Sequence, residues 1–198
     1  MKRLITAVAA AIVVFSLSQA ALADTKPIEA YLVGEMKGLS IFHRDLDLSG
    51  YKLVTGVDDD QKVIEKLETK HGKAMLMVFW VRACLPCTKY LKELDAVQNE
   101  LGDDHFEVIA VDLEGHSLAM TARELERLGL TSLAPYGDYT PSIVQELDAN
   151  PGFGFHGRQP KTLVVDQAGK VRAYSNVMRD WLSDDGRALI DALKNEAF

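Results

Sequence analysis

The sequence predicts an α/β fold in which helices flank a central mixed β-sheet, and three consecutive segments carry this prediction. The run Ala74–Val81 is apolar throughout, which is typical of a strand buried on both faces. Apolar residues between positions 84 and 101 recur at spacings of three and four, which indicates one buried face of a helix. A second apolar run, Phe106–Leu113, comes after that helix and predicts a second strand.

Two elements are predicted ahead of the first of these strands. Residues 46–54 alternate apolar and polar side chains around Ser49 and Gly50, which predicts an N-terminal β-hairpin extension. Three acids at positions 58–60 precede the apolar residues of 63–67. Because acids stabilise the first turn of a helix, a helix is expected there, and Gly72 is expected to end it.

The elements after the second strand are predicted from caps and turn signals. In chain order they are a helix from Ser117 to Leu128, a short helix opened by Thr140-Pro141, a hairpin of Thr162–Val165 and Lys170–Tyr174, and a final helix capped by Ser183. A loop rich in glycine and aromatic residues precedes the hairpin.

The N-terminus has the features of a signal peptide. Lys2 and Arg3 supply a positive charge, residues 4–17 are largely apolar, and Ala21-Leu22-Ala23 is a small-x-small cleavage site. Removal of residues 1–23 would release the mature chain into the periplasm.

An uncleaved membrane anchor is the alternative to release, because residues 4–23 are about long enough to span a bilayer. No later segment is apolar enough for stable membrane insertion after cleavage.

Cleavage removes two positive charges and no acid, so the net charge moves from −7 to −9. This acidic balance argues against nucleic acid and anionic membranes as partners.

Cys84 and Cys87 are the two cysteines of the chain, and they lie at the start of the predicted helix. Unpaired backbone N–H groups at a helix N-terminus stabilise a thiolate, so this position favours a reversible dithiol. The helical period puts Cys87 on the buried face and Cys84 at its exposed end, with Pro86 in the first turn. A zinc site would need two more ligands, and the five histidines are scattered along the chain. A static disulfide over this spacing would constrain little of the unfolded chain.

Two blocks of sequence resemble the thioredoxin superfamily, and specifically its exported TlpA-like branch. The first runs from Gly72-Lys73 through Phe79-Trp80 to Cys84-Leu85-Pro86-Cys87, and the second from Gln159 to Val171. The resemblance implies a thioredoxin-like fold, with residues 1–23 as signal peptide, 24–40 as a leader segment and 41–198 as the thioredoxin-like domain.

The resemblance also implies the roles of individual residues. Cys84 would be the nucleophile and Cys87 the resolving thiol of a redox-active disulfide, with no other cofactor and no metal. Pro160 would be a cis-proline facing the disulfide, and the backbone of Gln159 would pair with a substrate strand. Trp80 is a core aromatic by its pattern, and the resemblance places it beneath the active site. Leu85 and Pro86 would complete the active-site surface.

The implied function is that of an exported thiol-disulfide oxidoreductase. Leu85 and Pro86 offer no charge and no side-chain donor to the thiolate, which favours a reducing couple. Arg82 and Lys89 act in the opposite sense, but both are expected to be solvated and screened. The substrates would be other exported proteins, and a reductant in that compartment implies a membrane electron donor.

Three alternatives remain open on the sequence. A periplasmic disulfide oxidase would run the same chemistry backwards. A copper carrier would bind Cu(I) through the CxxC pair, although such carriers use a wider CxxxC spacing and a distal histidine, for which His156 is the candidate. A non-catalytic binding module would present residues 114–158 to a partner.

Overall fold

An eight-stranded mixed β-sheet forms the centre of the molecule in its computed structural model, which describes residues 26–58, 61–70, 72–114, 117–138, 142–149, 153–154 and 160–196. The strands are β1 (Ser40–Ile41), β2 (Lys52–Asp58), β3 (Gln61–Lys66), β4 (Ala74–Trp80), β5 (Phe106–Asp112), β6 (Tyr136–Gly137), β7 (Lys161–Val165) and β8 (Val171–Ser175). Their order across the sheet is β1-β8-β7-β4-β5-β6-β2-β3.

Four α-helices lie against this sheet within the described residues. They are α1 (Leu85–Leu101), α2 (Leu118–Arg127), α3 (Ser142–Asp148) and α4 (Asp184–Lys194). Side chains of α1 and α4 share one core cluster with β4, and side chains of α3 belong to a second cluster on the other face. The predicted α/β fold with a mixed sheet flanked by helices is therefore confirmed.

Strand β4 occupies the middle of the sheet and leads directly to the cysteine pair. It runs parallel to β5 and antiparallel to β7, and all seven of its residues are buried. Burial on both faces explains its continuous apolar sequence, because each side chain meets a covered face. The predicted central strand is confirmed, and its C-terminal end fixes the position of the cysteine pair.

The N-terminal hairpin exists, but at other residues than predicted. Strands β2 and β3 pair from Lys52↔Lys66 to Asp58↔Gln61, so the prediction of a hairpin over 46–54 is wrong. The helix predicted from the acids at 58–60 to Gly72 is also wrong over most of its length, because residues 61–66 form β3 and only Leu67–Lys70 is helical, as a 3-10 helix. Val63 and Ile64 are β-branched and suit a strand, and of the three acids Asp58 is the last residue of β2, while positions 59 and 60 come in sequence between the two strands.

The later elements match their predicted positions within one or two residues. The Ser117 hydroxyl accepts the N–H of Met120 at the start of α2, and the Ser183 hydroxyl accepts that of Gly186 at the start of α4. Strands β7 and β8 form the predicted antiparallel hairpin. These elements obey local cap and turn signals, which tertiary packing did not override.

Residues 26–40 form two 3-10 helices, Ile28–Tyr31 and Gly34–Met36, that lie against α4. Met36 is completely buried there and Leu39 is 6% exposed. The predicted signal peptide, residues 1–23, lies outside the described residues. Within the part of the chain that the structure describes, no helix combines the length and apolar character needed to cross a membrane.

Candidate active site

The cysteine pair lies where β4 ends and α1 begins. A turn closed by the Cys84 N–H and the Val81 carbonyl, 3.1 Å apart, delivers Cys84 to the N-cap position of α1. Cys84 and Cys87 form a disulfide with their Cα atoms 5.2 Å apart. The backbone N–H of Cys87 also donates to Cys84 Sγ at 3.1 Å. This is the local arrangement that stabilises a thiolate at Cys84 when the bond is reduced.

Both cysteines are buried, in contrast to the exposed position expected for Cys84. Cys84 is 3% exposed and Cys87 is 1% exposed, whereas Leu85 between them is 81% exposed. The disulfide explains the difference, because Cys84 Sγ must point toward a partner on the buried face of α1. Leu85 is therefore the side chain that the CxxC loop presents to solvent.

Trp80 lies in the same core cluster as the disulfide. It is the last residue of β4, is fully buried and belongs to the core cluster that also contains Cys84 and Cys87. Its indole Nε1–H has no hydrogen-bond partner among the described residues. The structure thus places Trp80 as the core aromatic that the sequence predicted.

An apolar groove lies against the CxxC loop. It encloses about 230 Å³ and is lined by Pro86, Pro160, Asn176, Val177 and Met178. Pro86 and Pro160, predicted as active-site surface, therefore do come together, whereas the contribution of the segment after β8 was missed. Its sequence signal is weak, since two apolar residues between a strand and a capped helix are common.

Two of the predicted features of the groove lie outside the described residues. Gln159 is not among them, and the peptide bond joining it to Pro160 is therefore not described either. No cis peptide bond occurs among the described residues. The pairing role of Gln159 and the cis-proline stay predictions.

Lys161, directly after Pro160, is a buried cation. It is 6% exposed, its Nζ donates to Asn176 Oδ1 at 2.8 Å, and it lies 5.8 Å from the ring centre of Phe153. Burial lowers the pKa of its ammonium group, which Asp148 offsets in part. The bond to Asn176 ties one wall of the groove to β7.

A buried polar network joins α1 to β7, the strand that follows Pro160. The Tyr90 hydroxyl accepts the indole N–H of Trp181 at 2.5 Å and lies 3.3 Å from Thr162 Oγ1. Burial raises the pKa of this phenol despite those hydrogen bonds. The network holds the helix of Cys87 in fixed register with β7.

Arg82 is not the solvated cation that the sequence suggested. Its side chain is 17% exposed, its Nε lies 2.5 Å from Glu114 Oε2, and its Nη2 lies 3.4 Å from Asp112 Oδ2. Lys89, by contrast, is 72% exposed, as expected, and its Nζ lies 4.0 Å from Glu93 Oε1. The positive charge nearest to Cys84 in sequence is therefore paired with two carboxylates, because the end of β5 lies beside the end of β4.

No group of three or more metal-ligating side chains occurs among the described residues. His156, the one candidate ligand for copper, lies outside them. In the structure both sulfur atoms of the cysteine pair are engaged in their mutual bond.

The sheet order, the buried helix and the disulfide at its N-terminus define a thioredoxin-like oxidoreductase. A family model described as the AhpC/TSA family matches residues 52–174, which is more than half of the chain, and the protein belongs to this family. The match begins at β2 and ends within β8, so it contains both the CxxC pair and Pro160.

Solved structures show the same fold at low sequence identity. A thioredoxin family thiol:disulfide interchange protein from Chlorobium tepidum superposes with a TM-score of 0.57 at 17% identity, covering 77% of this chain and 99% of its own. A DsbF homologue from Corynebacterium diphtheriae has a TM-score of 0.56 at 20% identity, covering 79% and 94%. A secreted thiol-disulfide isomerase from Corynebacterium glutamicum has a TM-score of 0.50 at 17% identity, covering 78% and 99%.

Proposed function

We propose that this protein is an exported thiol-disulfide oxidoreductase that exchanges its Cys84–Cys87 pair with partner proteins, in the reducing direction. The observation that carries this proposal is the disulfide at the N-terminus of α1, beside an apolar groove. A helix N-terminus favours the thiolate, and the groove offers a binding surface next to it.

The exchange takes place in two steps that transfer two electrons. The Cys84 thiolate attacks one sulfur of a partner disulfide, forming a mixed disulfide while the other partner sulfur leaves as a thiolate and takes a proton from water. The Cys87 thiol then loses its proton to water and its sulfur attacks Cys84 Sγ. The Cys84–Cys87 bond forms and the partner leaves as a reduced dithiol.

The N–H of Cys87 contributes to the first step. It already donates to Cys84 Sγ at 3.1 Å in the oxidised protein, so the same donor is in place for the negative charge of the thiolate. A hydrogen bond to an ionised acceptor is stronger than one to a neutral acceptor, so this donor stabilises the attacking thiolate.

The partner surface next to the disulfide is apolar. Leu85 is 81% exposed, and Val177 and Met178 are 48% and 37% exposed at the groove. Exposed apolar residues that lie together form an interaction surface more often than isolated ones. Because Cys84 is itself buried, an extended partner segment lying along this surface is the substrate that the site suits best.

The direction depends on how weakly the site stabilises the thiolate. Leu85 and Pro86 supply no side-chain donor, and the charge of Arg82 is paired with Glu114 and Asp112. A less stabilised thiolate makes the disulfide harder to reduce and hence the dithiol a better reductant. Export rests on the predicted signal peptide, and a membrane electron donor would return the oxidised pair to the dithiol.

The reduction potential of the mature protein tests the direction. Equilibration against glutathione is expected to give a value near or below about −220 mV, on the thioredoxin side of the scale. A value near about −120 mV would instead make the protein a disulfide oxidase. Absence of any reversible couple would contradict the proposal and favour a copper carrier or a non-catalytic binding module.

Substitution of single cysteines tests the exchange with proteins. Cys87→Ser is expected to accumulate mixed disulfides with exported proteins, because the resolving thiol is missing. Cys84→Ser, the matched control, should form none, because it removes the thiol at the N-cap of α1, where the helix N-terminus stabilises the attacking thiolate. Equal trapping by the two variants would overturn the assigned roles.

A further inference from the structure

The two residues that precede Cys84 are the central residues of a tight turn. The Cys84 N–H donates to the Val81 carbonyl at 3.1 Å, so Arg82 and Ala83 occupy the turn between them. The ends of such a turn lie within about 7 Å of each other. Arg82 is therefore the charged residue of the turn that leads into Cys84.

A single carboxylate binds both of these turn residues. Glu114 Oε2 lies 2.5 Å from Arg82 Nε, and Glu114 Oε1 accepts the backbone N–H of Ala83 at 3.4 Å. Burial raises the pKa of the Glu114 carboxyl, but the hydrogen bonds from Arg82 and Ala83 outweigh it and leave the pKa below its ordinary value. Glu114 is thus a carboxylate at neutral pH.

A second, fully buried carboxylate holds Glu114 and Arg82 in place. Asp112, at the end of β5, accepts the Glu114 N–H at 2.9 Å and the Thr121 hydroxyl at 2.7 Å, and its Oδ2 lies 3.4 Å from Arg82 Nη2. The side chain of Glu114 is 22% exposed, so the cluster is only partly screened by solvent. Glu124 of α2 is a further acid that acts on Arg82.

We propose that Glu114 is a positioning residue for the nucleophile, which holds the turn before Cys84 and cancels the charge of Arg82 so that it does not stabilise the Cys84 thiolate. This inference deepens the proposed function, on which it rests. Asp112 and Glu114 carry two negative charges against one on Arg82. The cluster therefore opposes the thiolate slightly, and the pair remains a reductant.

The two single substitutions are expected to act in opposite directions. Glu114→Gln keeps one acceptor oxygen, which can bind either Arg82 or Ala83, and removes one negative charge, so the Cys84 thiol should ionise more readily. Its equilibrium with glutathione should shift by about threefold to tenfold toward the reduced protein, where tenfold corresponds to about 30 mV. Arg82→Gln leaves two uncompensated carboxylates. It should therefore raise the pKa of the Cys84 thiol and shift the glutathione equilibrium toward the oxidised protein.

The measurements use the full mature protein and a matched control. Thiolate absorbance against pH gives the pKa of Cys84 in the reduced protein, and the glutathione equilibrium gives the potential. Glu100→Gln is the control, because Glu100 forms a similar pair with Arg187 at 2.6 Å at the other end of α1, about 24 Å away along the helix. It should leave the pKa of Cys84 and the potential unchanged.

Opposite shifts in Glu114→Gln and Arg82→Gln support the inference. A purely structural role would instead lower stability in both variants without moving the thiol pKa in opposite directions, and that result would overturn it. The thiol titration does not require a reversible couple. Loss of the couple in the unsubstituted protein would therefore contradict the proposed function, while the inference would still be decided by the thiol pKa values.

Discussion

At the scale of single residues, Tyr90 joins three parts of the molecule beneath the active site. Its hydroxyl contacts Thr162 of β7 and Trp181 ahead of α4, and it is itself part of α1. The apolar period of α1 does not single out Tyr90, which stands next to Leu91. The sequence also gives no sign of the residues that its hydroxyl contacts. Its role became visible only when the fold brought distant polar atoms together.

We expect Tyr90→Phe to lower the free energy of unfolding by about 1–3 kcal/mol, because the buried Trp181 N–H would lose its acceptor. Urea unfolding of the oxidised protein measures this. Tyr174→Phe is the matched control, since the Tyr174 hydroxyl forms no hydrogen bond with a described residue although the side chain is 9% exposed. Equal losses in the two variants would argue against the network.

Glu114 should also make stability depend on pH. Because the folded protein holds the pKa of this carboxyl below its ordinary value, its stabilisation is present above the unfolded pKa of 4.5 and is lost as the pH falls through the folded value. The difference in unfolding free energy between the unsubstituted protein and Glu114→Gln should therefore be largest near neutral pH. It should shrink as the pH falls below 4.5. A difference that stays constant over this range would contradict the expectation.

At the scale of elements, the sequence predicted helices with local signals better than strands that depend on partners. The caps Ser117 and Ser183 and the apolar period of α1 correctly located three helices. The predicted hairpin was misplaced because the alternation over residues 46–54 is a local pattern, whereas strand pairing depends on distant partners. In the fold, β2 pairs with β6 as well as with β3, and this pairing places the hairpin at residues 52–66.

The first turn of α4 depends on a glycine for reasons of packing. A Cβ atom at Gly186 would lie 2.5 Å from the carbonyl oxygen of Trp181 and 2.7 Å from its carbonyl carbon. Helix propensity alone favours alanine over glycine by about 1 kcal/mol. The close backbone contact has to outweigh this preference.

We therefore expect Gly186→Ala to destabilise the protein by about 1–3 kcal/mol, measured by thermal or urea unfolding. Gly50→Ala serves as the control, because a Cβ there would meet nothing within 4 Å. Its effect should stay within about 1 kcal/mol. A stabilised Gly186→Ala variant would show that the contact relaxes at little cost.

At the scale of the whole molecule, the segment ahead of the sheet is part of the packed structure. Met36 is fully buried and belongs to the core cluster that contains the disulfide. The Glu35 N–H donates to Asp185 at the start of α4, at 3.1 Å. Residues that the sequence predicted as a leader thus contribute to the core.

Met36→Ala should lower the free energy of unfolding by about 2–5 kcal/mol, because it leaves a cavity next to α4. Val33, in the same segment, is 50% exposed, and Val33→Ala should change stability by no more than about 0.5 kcal/mol. Equilibrium unfolding of the mature protein compares them. Similar small effects would mean that the segment detaches without disturbing the core.

The sequence by itself determined the central strand, the helix of the cysteine pair, the caps and the resemblance to thioredoxin-like proteins. All of these depend on residues close together in the chain, where period and capping act directly. The tertiary structure decided which strands form the hairpin, that Arg82 is paired with Glu114 and Asp112, and that residues 176–178 line the groove. Those features join segments that are distant in sequence, and only the packed sheet brings their side chains within contact distance.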